Sequence, residues 1–162
     1  MELIIGHLDE SPVEHLEDLD QIADRTGATI QAFDARYVVS VKHLRRAVEL
    51  ADRAIERDEQ IADDRGVEIL LYAAGRRQID RALEMGLKSE PHPVAIVIDG
   101  GDEATARTEV RNLMEGSVEP DEAFCSEDRI RTYFDITDAE IDTGADLESL
   151  VLERVALLTI DK

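Results

Sequence analysis

The chain has no tryptophan, a single cysteine, three lysines and few aromatic residues, and each shortage excludes something. One cysteine, Cys125, forms no internal disulfide and offers no zinc cluster. Aromatics at 4% leave an aliphatic core. No apolar run approaches the ~20 residues of a membrane span. The opening MELIIGHLDE lacks the basic start and long apolar stretch of a signal peptide. These absences predict a cytoplasmic protein.

What is abundant is acid. Acidic residues number 38 against 18 basic ones, a net charge of −20 over 162 residues. Of the bases only Lys42, Lys88 and Lys162 are lysines. Such a chain repels itself at low salt. The repulsion is tolerable where salt screens it, since the Debye length falls to about 3 Å at 1 M. The excess is spread over every segment, which points to adaptation to molar cytoplasmic salt. An ordinary acidic protein is the alternative. Apolar residues at 43% are enough for a folded core, and the length suits one domain over 1–162.

Periodicity predicts strands over 2–8 and 28–34. Between them runs a helix opened by Ser11-Pro12, with Gly27 past its end. The clearest helix is 41–57: Val41, Leu44, Val48, Ala51 and Ile55 share a face behind a Ser40 cap. The apolar run 67–73 (VEILLYA) reads as a central strand and 76–85 as a short helix. Residues 94–98 (VAIVI) read as a buried strand. Helices follow over about 103–115, 127–133 and 147–159, with Asp102, Ser126 and Asp146 as their caps. The class is therefore α/β (α+β), a single domain with a mixed β-sheet flanked by helices.

Catalytic patterns are scarce. There is no glycine-rich phosphate loop and no serine elbow. His7, His15, His43 and His92 lie at unrelated spacings. Asp99-Gly-Gly-Asp102-Glu103 has two readings. Carboxylates at a strand end can hold a metal or a ribose. Alternatively the glycines make a turn, Asp102 caps a helix and Glu103 suits its positive end. The first makes the chain a small-molecule or nucleotide-binding module. A hydrolase using Asp99 and Asp102 is a further reading.

Two features stand out. Basic residues cluster at Lys42, His43, Arg45 and Arg46, and again at Gly75-Arg76-Arg77-Gln78. Glycine lets the backbone approach a ligand, arginines and helix-start N–H groups suit phosphate, and Gln78 can read a base edge. Pairing with Glu49, Asp80 or Glu84 on a solvated surface is the plainer account. The second feature is the C-terminal helix. If Leu147, Leu150 or Val151, Val155 and Leu158 face the core, then Leu152, Ala156, Leu157 and Ile160 lie outside that stripe. They are either covered by another element or left as a partner surface.

Three blocks in order carry a resemblance. They are Ala35-Arg-Tyr-Val-Val-Ser40-Val-Lys-His43-Leu-Arg-Arg-Ala47, Glu68-Ile-Leu-Leu-Tyr-Ala-Ala-Gly75-Arg-Arg-Gln78-Ile-Asp-Arg-Ala82-Leu, and Leu150-Val-Leu-Glu-Arg-Val-Ala-Leu-Leu158. Together they resemble the kinase-binding subunit family of the KEOPS complex, whose eukaryotic member is the PRPK-binding protein. The resemblance implies a non-catalytic α/β subunit without a cofactor. It implies a place in the complex that makes threonylcarbamoyl-adenosine at tRNA position thirty-seven. There such a subunit binds and stimulates the atypical kinase/ATPase subunit and helps recruit tRNA by its 3′ CCA end. Carried onto this chain, Lys42, His43, Arg46, Gly75, Arg76, Arg77 and Gln78 become tRNA candidates. Leu152, Leu157 and Ile160 become kinase-interface candidates. Net charge −20 opposes RNA binding, so affinity of this subunit alone for tRNA should be weak.

Overall fold

A computed structural model describes residues 1–117 and 124–161. The first strand, β1 (Glu2–His7), leads through a 3-10 turn (Pro12–His15) into α1 (Leu16–Thr26). Ser11 opens that turn without a side-chain cap, and Gly27 closes α1 in the left-handed conformation. Strand β2 (Thr29–Asp34) follows, then α2 (Val41–Glu56), α3 (Arg65–Ala74) and the short α4 (Ile79–Ala82). Strand β3 (Pro93–Asp99), helix α5 (Glu103–Leu113) and the two-residue β4 (Gly116–Ser117) complete the sheet side. Helices α6 (Glu127–Tyr133), α7 (Asp138–Asp142) and α8 (Leu147–Asp161) end the described chain.

The α/β class stands, with one element corrected. Residues 67–73 are helix α3, not a strand. A short run apolar on every side has no period to separate the two states. The flanks decide. Asp64 accepts the N–H of Val67 at 2.9 Å as an N-cap, and Gly75 ends the helix at φ +62°. With that strand gone, the expected mixed sheet is antiparallel at every described pairing, in the order β2-β3-β1-β4.

Strand β3 is central and buried on both faces, as its unbroken apolar sequence requires. Val94, Ile96 and Ile98 point to one side, where Leu19, Ile22, Ala106 and Val110 of α1 and α5 cover them. Ala95 and Val97 point to the other, where α2, α3, α6 and α8 build the larger core around Leu44, Ile69, Tyr72, Ile130 and Val155. Helix α3 lies inside this layer. From Ile69 to Ala74 every residue is buried, which is why its sequence shows no polar face.

The buried carboxylates of Glu68 and Asp34 are satisfied. The Glu68 carboxylate accepts N–H groups from Ile61 (3.0 Å) and Ala62 (2.8 Å), tying the loop before α3 to the helix. Asp34, fully buried at the end of β2, accepts the Arg36 guanidinium through both oxygens (3.0 and 2.8 Å). Lys88 lies 3.3 Å and His92 3.5 Å from the same carboxylate. Burial pushes Asp34 up, but Arg36, His92 and Lys88 together hold it below the usual carboxylate range.

Candidate functional site

Helix α2 and the turn after α3 bring the two basic clusters to neighbouring places. Ser40 caps α2 by accepting the N–H of His43 at 3.3 Å, as its sequence position suggests. His43 itself is a core residue. Its Nε2 donates to the Ala73 carbonyl at 2.8 Å, its Nδ1 accepts the Val39 N–H at 3.2 Å, and its ring meets Phe134 edge-on at 5.8 Å. With no exposed surface it is withdrawn from the tRNA candidates. It instead locks the start of α2 to the end of α3.

Burial lowers the His43 pKa to about 4, against a raising effect of the Ala73 carbonyl. The folded state therefore refuses a proton that the unfolded chain accepts near pH 6.5. Stability from this residue is complete above about pH 6.5 and falls as the pH is lowered toward 4, by about 3 kcal/mol. Denaturant melts between pH 4 and 7 should show this slope. In a His43→Leu variant it should be smaller.

The remaining candidates divide. Lys42 is exposed and Arg46 half-exposed, the latter 3.0 Å from Glu49. Gly75 is structural as well as permissive. A Cβ there would lie 3.0 Å from the Arg154 carbonyl, and φ is positive. Arg76 turns inward, donating to the Tyr133 carbonyl with its guanidinium 4.7 Å above the Tyr133 ring. Arg154 donates to the next two carbonyls, Phe134 and Asp135, each at 3.2 Å, and to Glu140 at 2.8 Å. Two arginines, one from the basic turn and one from α8, thus hold three successive carbonyls at the end of α6. Arg77 and Gln78 are exposed beyond this clamp.

Helix α8 separates its faces as its sequence suggested. Leu150, Val151, Val155 and Leu158 are buried. Leu152 is half-exposed, while Leu157 and Ile160 are 41% and 77% exposed. No element covers this outer face among the described residues, so it remains an apolar surface. Sequence reasoning missed a second apolar pair, Ile79 and Leu83, 48% and 54% exposed next to Gln78. Their four-residue spacing was the available signal.

The Asp99–Asp102 ligand site does not survive. Asp99 is 2.6 Å from Arg65 and 3.0 Å from the amino terminus. Asp102 accepts the Thr105 N–H (3.2 Å) and hydroxyl (2.6 Å), and Glu103 accepts the Gly100 N–H at 2.9 Å. Asp99 is committed to ion pairs, Asp102 to a helix start and Glu103 to the turn. Among the described residues no group of His, Cys, Asp or Glu is arranged to hold a metal ion. Cys125 is exposed overall, and partial desolvation of its thiol, with Glu127 nearby, raises its pKa, which lowers its reactivity. None of the described helices is long and apolar enough to cross a membrane.

An α/β domain that keeps an uncovered apolar helix face has the form of a module that binds another protein. The comparison with known families agrees. The model of the family described as kinase binding protein CGI-121 matches residues 12–159, and the chain belongs to that family. It is thus a kinase-binding protein. No curated protein matches the chain.

Proposed function

We propose that this chain, as one domain over 1–162, is the non-catalytic kinase-binding subunit of a KEOPS complex in a salt-adapted archaeal cytoplasm. It binds the atypical kinase/ATPase subunit directly, stimulates it, and reaches the other KEOPS subunits through it. The reading rests on membership in a kinase-binding family together with the exposed apolar face of α8. Leu152, Leu157 and Ile160 are the contacts assigned to the kinase. No cofactor is assigned.

The same reading gives the chain a part in recruiting tRNA through its 3′ CCA end for threonylcarbamoyl-adenosine formation. The residues suited to this are Lys42, Arg46, Arg77 and Gln78, with Gly75 and Arg76 shaping the turn that presents the last two. His43–Ala73 bonding keeps the two basic places together. Unpaired bases can be hydrogen-bonded and stacked by such a surface even where salt weakens phosphate contacts. Arg77→Glu should weaken tRNA binding by the assembled complex roughly three- to tenfold while kinase capture stays unchanged. Filter binding with tRNA, and with tRNA lacking its CCA end, measures this. Equal binding by variant and wild type would remove RNA from the account.

A further inference from the structure

Helix α4 (Ile79–Ala82) is a single turn, and a helix that short does not hold itself together in water. Burial adds little to it. Ala82 is the one buried residue of α4, while Ile79 and Leu83 stand about half exposed. Yet the segment from Arg76 to Leu83 carries Arg77 and Gln78, the side chains assigned to tRNA. Its shape is therefore set by the contacts it makes with the rest of the molecule.

Tyr133, the last residue of α6, makes such contacts at both ends of the segment. Its backbone carbonyl accepts the Arg76 guanidinium, which also lies 4.7 Å above its ring. Its phenolic hydroxyl donates to the Arg81 carbonyl at 2.8 Å, one of the carbonyls that the end of a short helix leaves without a partner of its own. Arg77 and Gln78 lie between these two anchors. The ring that joins the anchors is itself fixed. Tyr37 meets it edge-on at 5.6 Å and Phe134 at 5.1 Å, and Tyr133 is only 5% exposed. Burial pushes the phenol up to about 12 against the lowering effect of Arg76, so the hydroxyl keeps the proton it donates throughout the neutral range. Arg154 of α8 secures the backbone just beyond, through the Phe134 and Asp135 carbonyls. Core packing at this position asks only for a ring, which phenylalanine would supply. The hydroxyl serves the segment at Arg81.

We infer that Tyr133 is a positioning residue for the tRNA 3′ end. By bracing both ends of the segment, it holds Arg77 and Gln78 in the arrangement that meets the unpaired bases. The inference deepens the RNA reading and rests on it. It requires no contact between Tyr133 and RNA. With the brace loosened, the segment keeps its binding arrangement only part of the time, and apparent affinity falls by that fraction.

The test measures tRNA binding by the assembled complex carrying wild type, Tyr133→Phe, Arg77→Glu or both substitutions. Kinase capture, thermal melting, amide exchange and steady-state tRNA modification are followed on the same proteins. Tyr133→Phe removes the hydroxyl and keeps the ring. It should weaken tRNA binding about three- to fivefold, the scale of one lost hydrogen bond. It should raise KM for tRNA at unchanged kcat and speed amide exchange over residues 76–83, while kinase capture stays as in wild type. In the Arg77→Glu background the same substitution should cost clearly less, because the two act through one contact. For tRNA lacking its CCA end, wild type and Tyr133→Phe should bind equally. If Arg77→Glu weakens binding and Tyr133→Phe matches wild type, the inference is overturned and the RNA reading stands. If Arg77→Glu matches wild type, the RNA reading itself has failed and the inference falls with it. If Tyr133→Phe weakens binding equally with and without the CCA end, or loses kinase capture to the same extent, the residue has a general structural role and the inference is wrong.

Discussion

Leu157→Glu is expected to abolish kinase binding, a loss on the order of a hundredfold, at unchanged fold stability. Leu157 is exposed on the outer face of α8 and removes nothing from the core when replaced. A carboxylate at that position must either be desolvated against the partner or hold the two surfaces apart. Ile160→Glu should act in the same direction, because Ile160 is still more exposed. The contrast is Val155, on the opposite side of the helix and fully buried. Val155→Glu should unfold the protein and so report nothing about binding. Titration calorimetry with the kinase subunit in molar KCl, alongside thermal melts, separates the two effects. A Leu157→Glu variant that binds as wild type would move the interface off this helix.

A large loss of stability, about 3–5 kcal/mol, is expected from Asp34→Ala. Asp34 is the shared acceptor for Arg36 and Lys88, and His92 lies against it. Removing the carboxylate leaves cations partly buried with too few acceptors. Lys88 keeps the carbonyls of Glu84 and Gly86, and its ammonium stays 4.8 Å from the Tyr37 ring, so the collapse is incomplete. Arg36 has no such reserve and is left 4.0 Å from Glu90. Denaturant titration at pH 7 measures the loss. A change below about 1 kcal/mol would mean that the cluster is solvated rather than structural.

Much of this architecture was legible in the residues. Strand β3 declared itself through VAIVI, because a strand buried on both faces needs no polar alternation. Helix α2 declared itself because Leu44, Val48 and Ala51 recur at helical spacing behind Ser40. The division of α8 into a buried stripe and an exposed remainder also followed from spacing, although its apolar residues run nearly all round. Helix α3 was misread for the reason that makes it central. A helix enclosed by α2, α8 and β2 carries no polar face, and Val67 to Ala73 looks like a strand until Asp64 and Gly75 are recognised as its caps. The asymmetry of the site was less legible. In sequence His43 sits among Lys42, Arg45 and Arg46, and its burial depends on Ala73, thirty residues away. The inward turn of Arg76 likewise depends on the Tyr133 carbonyl, fifty-seven residues away. Long-range pairings of this kind leave no local pattern.

The most direct test of kinase docking on α8 is amide hydrogen exchange of this chain, alone and with the kinase subunit, in molar KCl. The account predicts that binding slows exchange over Leu147–Asp161, most strongly in the turns carrying Leu157 and Ile160, while α1 and α5 on the opposite face of the sheet exchange as before. Slowing confined to α1 and α5, with α8 unchanged, would contradict it.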